Sequence, residues 1–395
     1  MQETVTTPIT QKQLIIHIGD PKTGTTTIQS VLHNGLVNCE SKQILPWKKL
    51  NAIALANSLK PSGKDDRKEQ FQSVKEWLSN GNGDIAIISS EFFSSIRPKV
   101  LHKALLNHLP EHIAENAKII AYVRPHASRF IAAYIQRTKT GQFYGDVDDF
   151  LHSLQKNEPL TFSYAKRFGR WKNQFGGNFS LKPFIRSELI DGDISKDFFS
   201  DVLDGAPFHT AGLVEANVSV TTKALAGIRI VQENFKNLGL EAKSRSLLGG
   251  ALANHFLSER DNSGDKPKLD KNTAEKLVSS YLDDAKNLDN LFFDRPLMQE
   301  ALERCVDEAV DEKIDLTPEN HFATNEIEAL TEKSAMIFSA LKKSGKTWAA
   351  NHHSRTRNIS LSHSQMSKIE KNSKVIGEID DSMSDIAEIL TRQKI

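Results

Sequence analysis

Cysteine is nearly missing: the chain has two in 395 residues, Cys39 and Cys305. They lie far apart and lack metal-ligand spacing, so neither a disulfide framework nor a zinc cluster follows, and a reducing compartment fits. An excess of one charge sign is missing too. The 51 Lys and Arg meet 50 Asp and Glu, so no global field draws the chain to nucleic acid or to an anionic membrane. No apolar run approaches the length that crosses a bilayer. Residues 1–12 are polar and lack the apolar core of a signal peptide. These absences point to a soluble cytoplasmic protein of one large domain plus an appendage, or of two domains.

What is there begins at Leu14-Ile15-Ile16-His17-Ile18, a short apolar run that breaks into Gly19-Asp20-Pro21-Lys22-Thr23-Gly24-Thr25-Thr26-Thr27. The order reads as a buried strand, a tight turn holding one lysine, and a helix start. That order builds an anion site. Main-chain N–H groups at a helix N-terminus converge with the positive end of the helix dipole. Gly24 lets the chain approach an anion, Lys22 supplies a point charge, and Thr25 and Thr26 supply hydroxyl donors.

The nucleoside-triphosphate loop, Gly-x4-Gly-Lys-[Ser/Thr], has the same glycine spacing as Gly19 and Gly24. Here Thr25 stands where its lysine belongs, and the lysine sits inside the turn at position 22. That argues against ATP or GTP turnover. The run Pro21-Lys22-Thr23-Gly24-Thr25-Thr26-Thr27-Ile28 instead resembles the 5′-phosphosulfate loop of sulfotransferases, and the chain resembles the bacterial sulfotransferase family over about residues 13–300. The resemblance implies 3′-phosphoadenosine 5′-phosphosulfate as donor, with no metal required. It implies that Lys22, Thr23, Gly24, Thr25, Thr26 and Thr27 hold the phosphosulfate end, with Lys22 catalytic.

Two further elements match the family. Tyr122-Val123-Arg124-Pro125-His126-Ala127-Ser128-Arg129 is a strand ending in Arg, followed by a helix. The resemblance assigns Arg124 and Arg129 to the donor's 3′-phosphate. The family's serine is Ala132 here, which cannot donate, and Ser128 or Arg129 is the substitute. Read on its own, Arg124 also fits a strand-end salt bridge, the lesser alternative to a phosphate contact. Ser89-Ser90-Glu91-Phe92-Phe93 fits the glutamate base of carbohydrate sulfotransferases. Read on its own, Glu91 fits a helix N-cap or an ion-pair partner. His17, His102 and His126 are rival bases, His17 lying within a strand. The glutamate-type site implies a saccharide or glycolipid acceptor.

Short apolar strands at 84–90, 118–123 and 178–184 alternate with helices at 65–79, 100–109, 127–140 and 161–175. This predicts an α/β, three-layer P-loop-type fold with a central parallel sheet flanked by helices, plus a mostly helical C-terminal region. Lys22, Glu91 and Arg124 all fall at or just past strand ends, where ligands bind in such sheets. Asn272 and Glu275 suit a capping box. The expected organisation is a polar segment at 1–12, a catalytic domain at 13–300 with a helical cap at about 205–300, and a helical extension at 301–395. A polar linker is expected at about 344–368. Ile376, Ile379, Met383, Ile386 and Leu390 form an apolar stripe, which either docks on the domain or pairs with a second copy; docking is the simpler use. Two readings compete with sulfuryl transfer: a kinase-like phosphoryl-transfer enzyme, and a non-catalytic scaffold of the same fold.

Overall fold

The computed structural model describes residues 12–158, 160–211, 220–258, 264–344, 346–357 and 361–392. The polar segment expected at 1–12 therefore lies outside the described residues except for Lys12. That lysine is buried, and its Nζ donates to the carbonyls of Gly81 and Gly83 at 2.9 Å each.

The strands are β1 (Gln13–His17), β2 (Val37–Cys39), β3 (Ile44–Pro46), β4 (Ile85–Ser89), β5 (Lys118–Val123), β6 (Phe179–Pro183) and β7 (Phe208–Thr210). Five of them form one parallel sheet in the order β3-β4-β1-β5-β6. β4 is buried along its whole length, and β1 and β5 are buried beyond their first residue, so no hydrophobic/polar alternation marks them. On one face Ile15, Ile85, Ile87, Ile120 and Tyr122 join a core with Ile28 and Val31 of the helix Thr25–His33 and Phe198 and Phe199 of the helix Ile194–Val202. Helices Pro98–His108 and Tyr164–Phe175 complete the flanking layers. In the latter, Trp171 and Phe175 are buried and stack with centroids 5.7 Å apart.

The expected α/β architecture holds, with a central parallel sheet, flanking helices and a helical C-terminal region. The chain leaves β1 towards the β3 edge and leaves β5 towards the β6 edge. The strand order therefore reverses between the carboxyl ends of β1 and β5, the crevice where α/β sheets hold ligands.

The chain divides into two compact units, each of three pieces: 1–129, 159–216 and 277–305 in one, and 130–158, 217–276 and 306–395 in the other. The first carries the sheet. The second is helical, with Leu225, Ile228, Val231, Leu330, Ile337, Ile379 and Ile386 in its interior. The C-terminal stripe lies on the helix Ser373–Thr391, and all five of its residues are buried within this unit.

Three features differ from expectation. Helices Thr347–Arg357 and His363–Lys371 occupy most of the stretch read as a polar linker. Trp348 anchors the first of them, 2% exposed with Nε1 donating to Asp380 at 3.0 Å; His352 stacks on it with centroids 5.1 Å apart and Arg355 donates to Asp380 at 2.7 Å, so residues with a linker's composition are used in packing. The cap of the helix Lys271–Phe292 is Asp270, one residue before it, not Asn272. Its carboxylate accepts from the Thr273 amide at 3.0 Å and the Thr273 hydroxyl at 2.7 Å. Strands β2 and β7 pair antiparallel as a separate ribbon too short to leave a pattern.

Candidate active site

Between β1 and the helix Thr25–His33 the main chain takes a left-handed conformation three times: Gly19 at φ 85°, Lys22 at φ 70° and Gly24 at φ 76°. Glycine fits the first and third. At the second the chain accepts strain on a side-chain-bearing residue, which is the kind of distortion found at ligand-binding turns. Gly24 is also the N-cap and has no side chain to cap with, and no acid occupies the first turn. Thr27 and Ile28 donate their amides to the Gly24 carbonyl. Among the described residues, none accepts from the amides of Thr23, Gly24, Thr25 or Thr26. Four donors are thus left for a ligand at the start of one helix. Lys22 and Thr26 are exposed there.

The threonine hydroxyls divide. Thr23 Oγ1 donates to the Asp20 carbonyl at 2.5 Å, and Thr25 Oγ1 to the same oxygen at 3.5 Å. Their hydrogens are spent inside the turn, so these two residues offer a ligand their amides rather than their hydroxyls.

Across the crevice Arg124 follows β5. Its Nη1 donates to the Lys22 carbonyl at 3.4 Å and its Nε to Ser128 Oγ at 3.2 Å, so the guanidinium is tied to the loop. Ser128 Oγ in turn donates to the Pro125 carbonyl at 3.1 Å. Among the described residues no carboxylate pairs with Arg124. Burial first, then the nearby Arg129 charge, push its pKa below the ordinary arginine range. Arg129 is 8% exposed and its side chain makes no hydrogen bond among the described residues; its buried Nε has only a loose ion pair with Asp20 at 3.9 Å. Buried guanidinium donors are normally satisfied, and Arg129 Nε departs from that rule. Ala132 lies further along the same helix, His126–Lys139, and supplies no donor.

Glu91 opens a 3-10 turn directly after β4. A Cβ placed on Gly19 would sit 3.0 Å from Glu91 Cα, so the loop's first glycine is what lets the two segments meet. Gln29 Nε2 donates to Glu91 Oε2 at 3.4 Å and reaches the Ser89 carbonyl at the same distance. The rival bases are placed otherwise. His17 is fully buried with Nδ1 2.9 Å from Ser89 Oγ, and burial lowers its pKa to about 3. His126 is buried against Tyr164 and Tyr281, with Nε2 3.1 Å from Asp284. His102 packs edge-on against Phe175.

Lys22, Arg124, Ser128, Arg129 and Glu91 thus gather around the loop at the carboxyl ends of β1, β4 and β5. Sequence reasoning missed three residues that serve it. Gln29 reaches Glu91. Arg167 pairs with Asp20 through both Nη atoms, at 2.6 and 2.9 Å. Asp284 accepts from the amides of Tyr164 and Ala165 at 2.7 and 3.2 Å, capping the helix that carries Arg167. Gln29 had a local signal, one helical turn beyond Thr25, and Asp284 opens the run 284–293 that stands out in the sequence without showing the helix it caps. A cavity of about 350 Å³ lined by Arg97, Pro98, Lys99, Arg170 and Gln174 contains none of these residues.

No family model matches the chain, and no curated protein matches it. A crystal structure of a sulfotransferase from Alicyclobacillus acidocaldarius is similar to it, at 15% identity and a TM-score of 0.40, over 74% of this chain and 99% of that one. A likeness that loose decides nothing about activity, which has to be argued from the crevice itself. Among the described residues no helix is long and apolar enough to cross a membrane.

Proposed function

We propose that the protein is a sulfotransferase that moves a sulfuryl group from 3′-phosphoadenosine 5′-phosphosulfate to a hydroxyl of a saccharide or glycolipid. One observation carries the reading: unspent donors gather at the strand-order reversal. They are the amides of Thr23 to Thr26 on one side, and on the other Arg129 Nε beside the charge of Arg124, which no carboxylate among the described residues meets. A donor with an anionic group at each end matches two separated sets of donors. When bound, it supplies the activated sulfuryl group.

The residues divide the work. The first-turn amides and Lys22 meet the charge of the phosphosulfate end, and fixed donors cost no reorganisation as charge builds. Arg124, oriented by Ser128, and Arg129 meet the second phosphate. Glu91 is the base for the acceptor hydroxyl, and Gln29 fixes the direction of its carboxylate. The saccharide class rests on the glutamate-type site and on the resemblance in sequence.

The test is incubation of the full chain with donor labelled at sulfur and a panel of glycans and lipids. Wild type should label one class, and Lys22→Ala should fall by at least about a hundredfold, the usual cost of removing one charge-stabilising donor. Equal labelling by Lys22→Ala with intact folding would sink the mechanism. Thermal stabilisation by adenosine 3′,5′-bisphosphate rather than by ATP with magnesium separates this reading from phosphoryl transfer. Binding of neither favours the scaffold.

A further inference from the structure

Asp20 is 2% exposed and stands inside the loop, yet each of its polar groups is engaged. Its amide donates to the Tyr122 carbonyl at 2.9 Å, tying the loop to β5. Its carbonyl accepts from Thr23 and Thr25, drawing the turn closed on itself. Its carboxylate is gripped by both Nη atoms of Arg167, from the helix Tyr164–Phe175. The Arg167 guanidinium itself lies over the Phe168 ring, 4.5 Å from the centroid, and near the Tyr164 ring, 5.4 Å away. Its helix starts on the Asp284 carboxylate. The chain of contacts thus runs from a capped helix to the carbonyl that shapes the turn.

We propose that the Asp20–Arg167 pair is the positioning device of the anion loop, holding the turn so that the amides of Thr23 to Thr26 face a ligand together. The proposal rests on reading the crevice as the donor site. A carboxylate beside an anion site is otherwise hard to account for, because its charge opposes the ligand. The bidentate arginine removes that objection: it neutralises the charge and leaves the geometry. A planar fork fixes a direction that an ammonium would not.

The opposing effects make the test sharp. If Asp20 acted only as a nearby negative charge, Asp20→Asn would tighten anion binding. If it positions the loop, the same change loosens binding despite the added positive field. The experiment uses the full chain and adenosine 3′,5′-bisphosphate in calorimetry, with amide hydrogen exchange on the ligand-free protein. Asp20→Asn should weaken binding roughly tenfold, about the worth of one lost charged hydrogen bond. Exchange in residues 18–28 should accelerate by a similar factor, while the helix Thr222–Asn237 stays unchanged. Arg167→Lys keeps the charge, loses the fork, and carries the same expectation if Asp20→Asn does not fold. Unchanged or tighter binding, or unchanged exchange in 18–28, overturns the proposal. Should wild type not bind the bisphosphate, the donor reading falls, and the exchange measurement still judges the clamp.

Discussion

Lys22 carries the strain of the loop as well as its charge, with its main chain at φ 70° and its side chain exposed. Two substitutions separate those roles. Lys22→Gly and Lys22→Ala both remove the ammonium, so both should lose transfer. Only glycine relaxes the left-handed turn, so Lys22→Gly should be more stable than Lys22→Ala by about 1 kcal/mol in urea unfolding. His17 carries a pH dependence of its own. The unfolded chain takes up a proton near pH 6.5, while burial holds the folded ring neutral down to about pH 3. The unfolded state therefore binds more protons in that window, and stability rises with pH there. It is complete above pH 6.5 and falls below it by up to about 1.4 kcal/mol per pH unit. His17→Gln should flatten that slope in urea titrations run from about pH 4 to pH 7.

At the scale of elements, helix starts fall into two kinds. Helices Val147–Asn157, Ile194–Val202 and Thr222–Asn237 are capped by the side chains of Asp146, Asp193 and Thr221. The helix Thr25–His33 is not, and neither are Arg67–Asn80, Pro98–His108 and Ser373–Thr391; at Thr25–His33 the start is the proposed anion loop. Asp270→Ala should cost about 1 kcal/mol in unfolding, the ordinary worth of a cap, with transfer unaffected. The sheet was legible because β1, β4 and β5 are apolar runs that break at Gly19, Ser90 and Arg124, while β6, Phe179–Pro183, alternates apolar and polar residues. The loop was legible because its chemistry is contiguous. Strand β3 was not, being three residues at an edge and ending in Pro46. Nor was the Asp20–Arg167 pair, whose members lie 147 residues apart and meet only after the sheet forms. The cap at Asp270 was misread for a simpler reason: several polar residues stand in a row there, and only the folded backbone says which one precedes the first turn.

For the molecule as a whole, the C-terminal helix is interior material of its unit rather than an accessory. A Cβ on Gly227 would fall 1.8 Å from Leu390 Cδ2 and 2.9 Å from Phe322 Cζ. Gly227→Ala should therefore destabilise by about 1–3 kcal/mol through overpacking, seen as a lower melting temperature, while bisphosphate affinity is kept. The unit that carries the sheet has a different asymmetry. Under the proposed reaction, the phosphate gripped at Arg124 and Arg129 is untouched by the chemistry. Spent nucleotide then leaves against nearly the same hold that brought the fresh one in, which puts its escape among the steps expected to slow turnover.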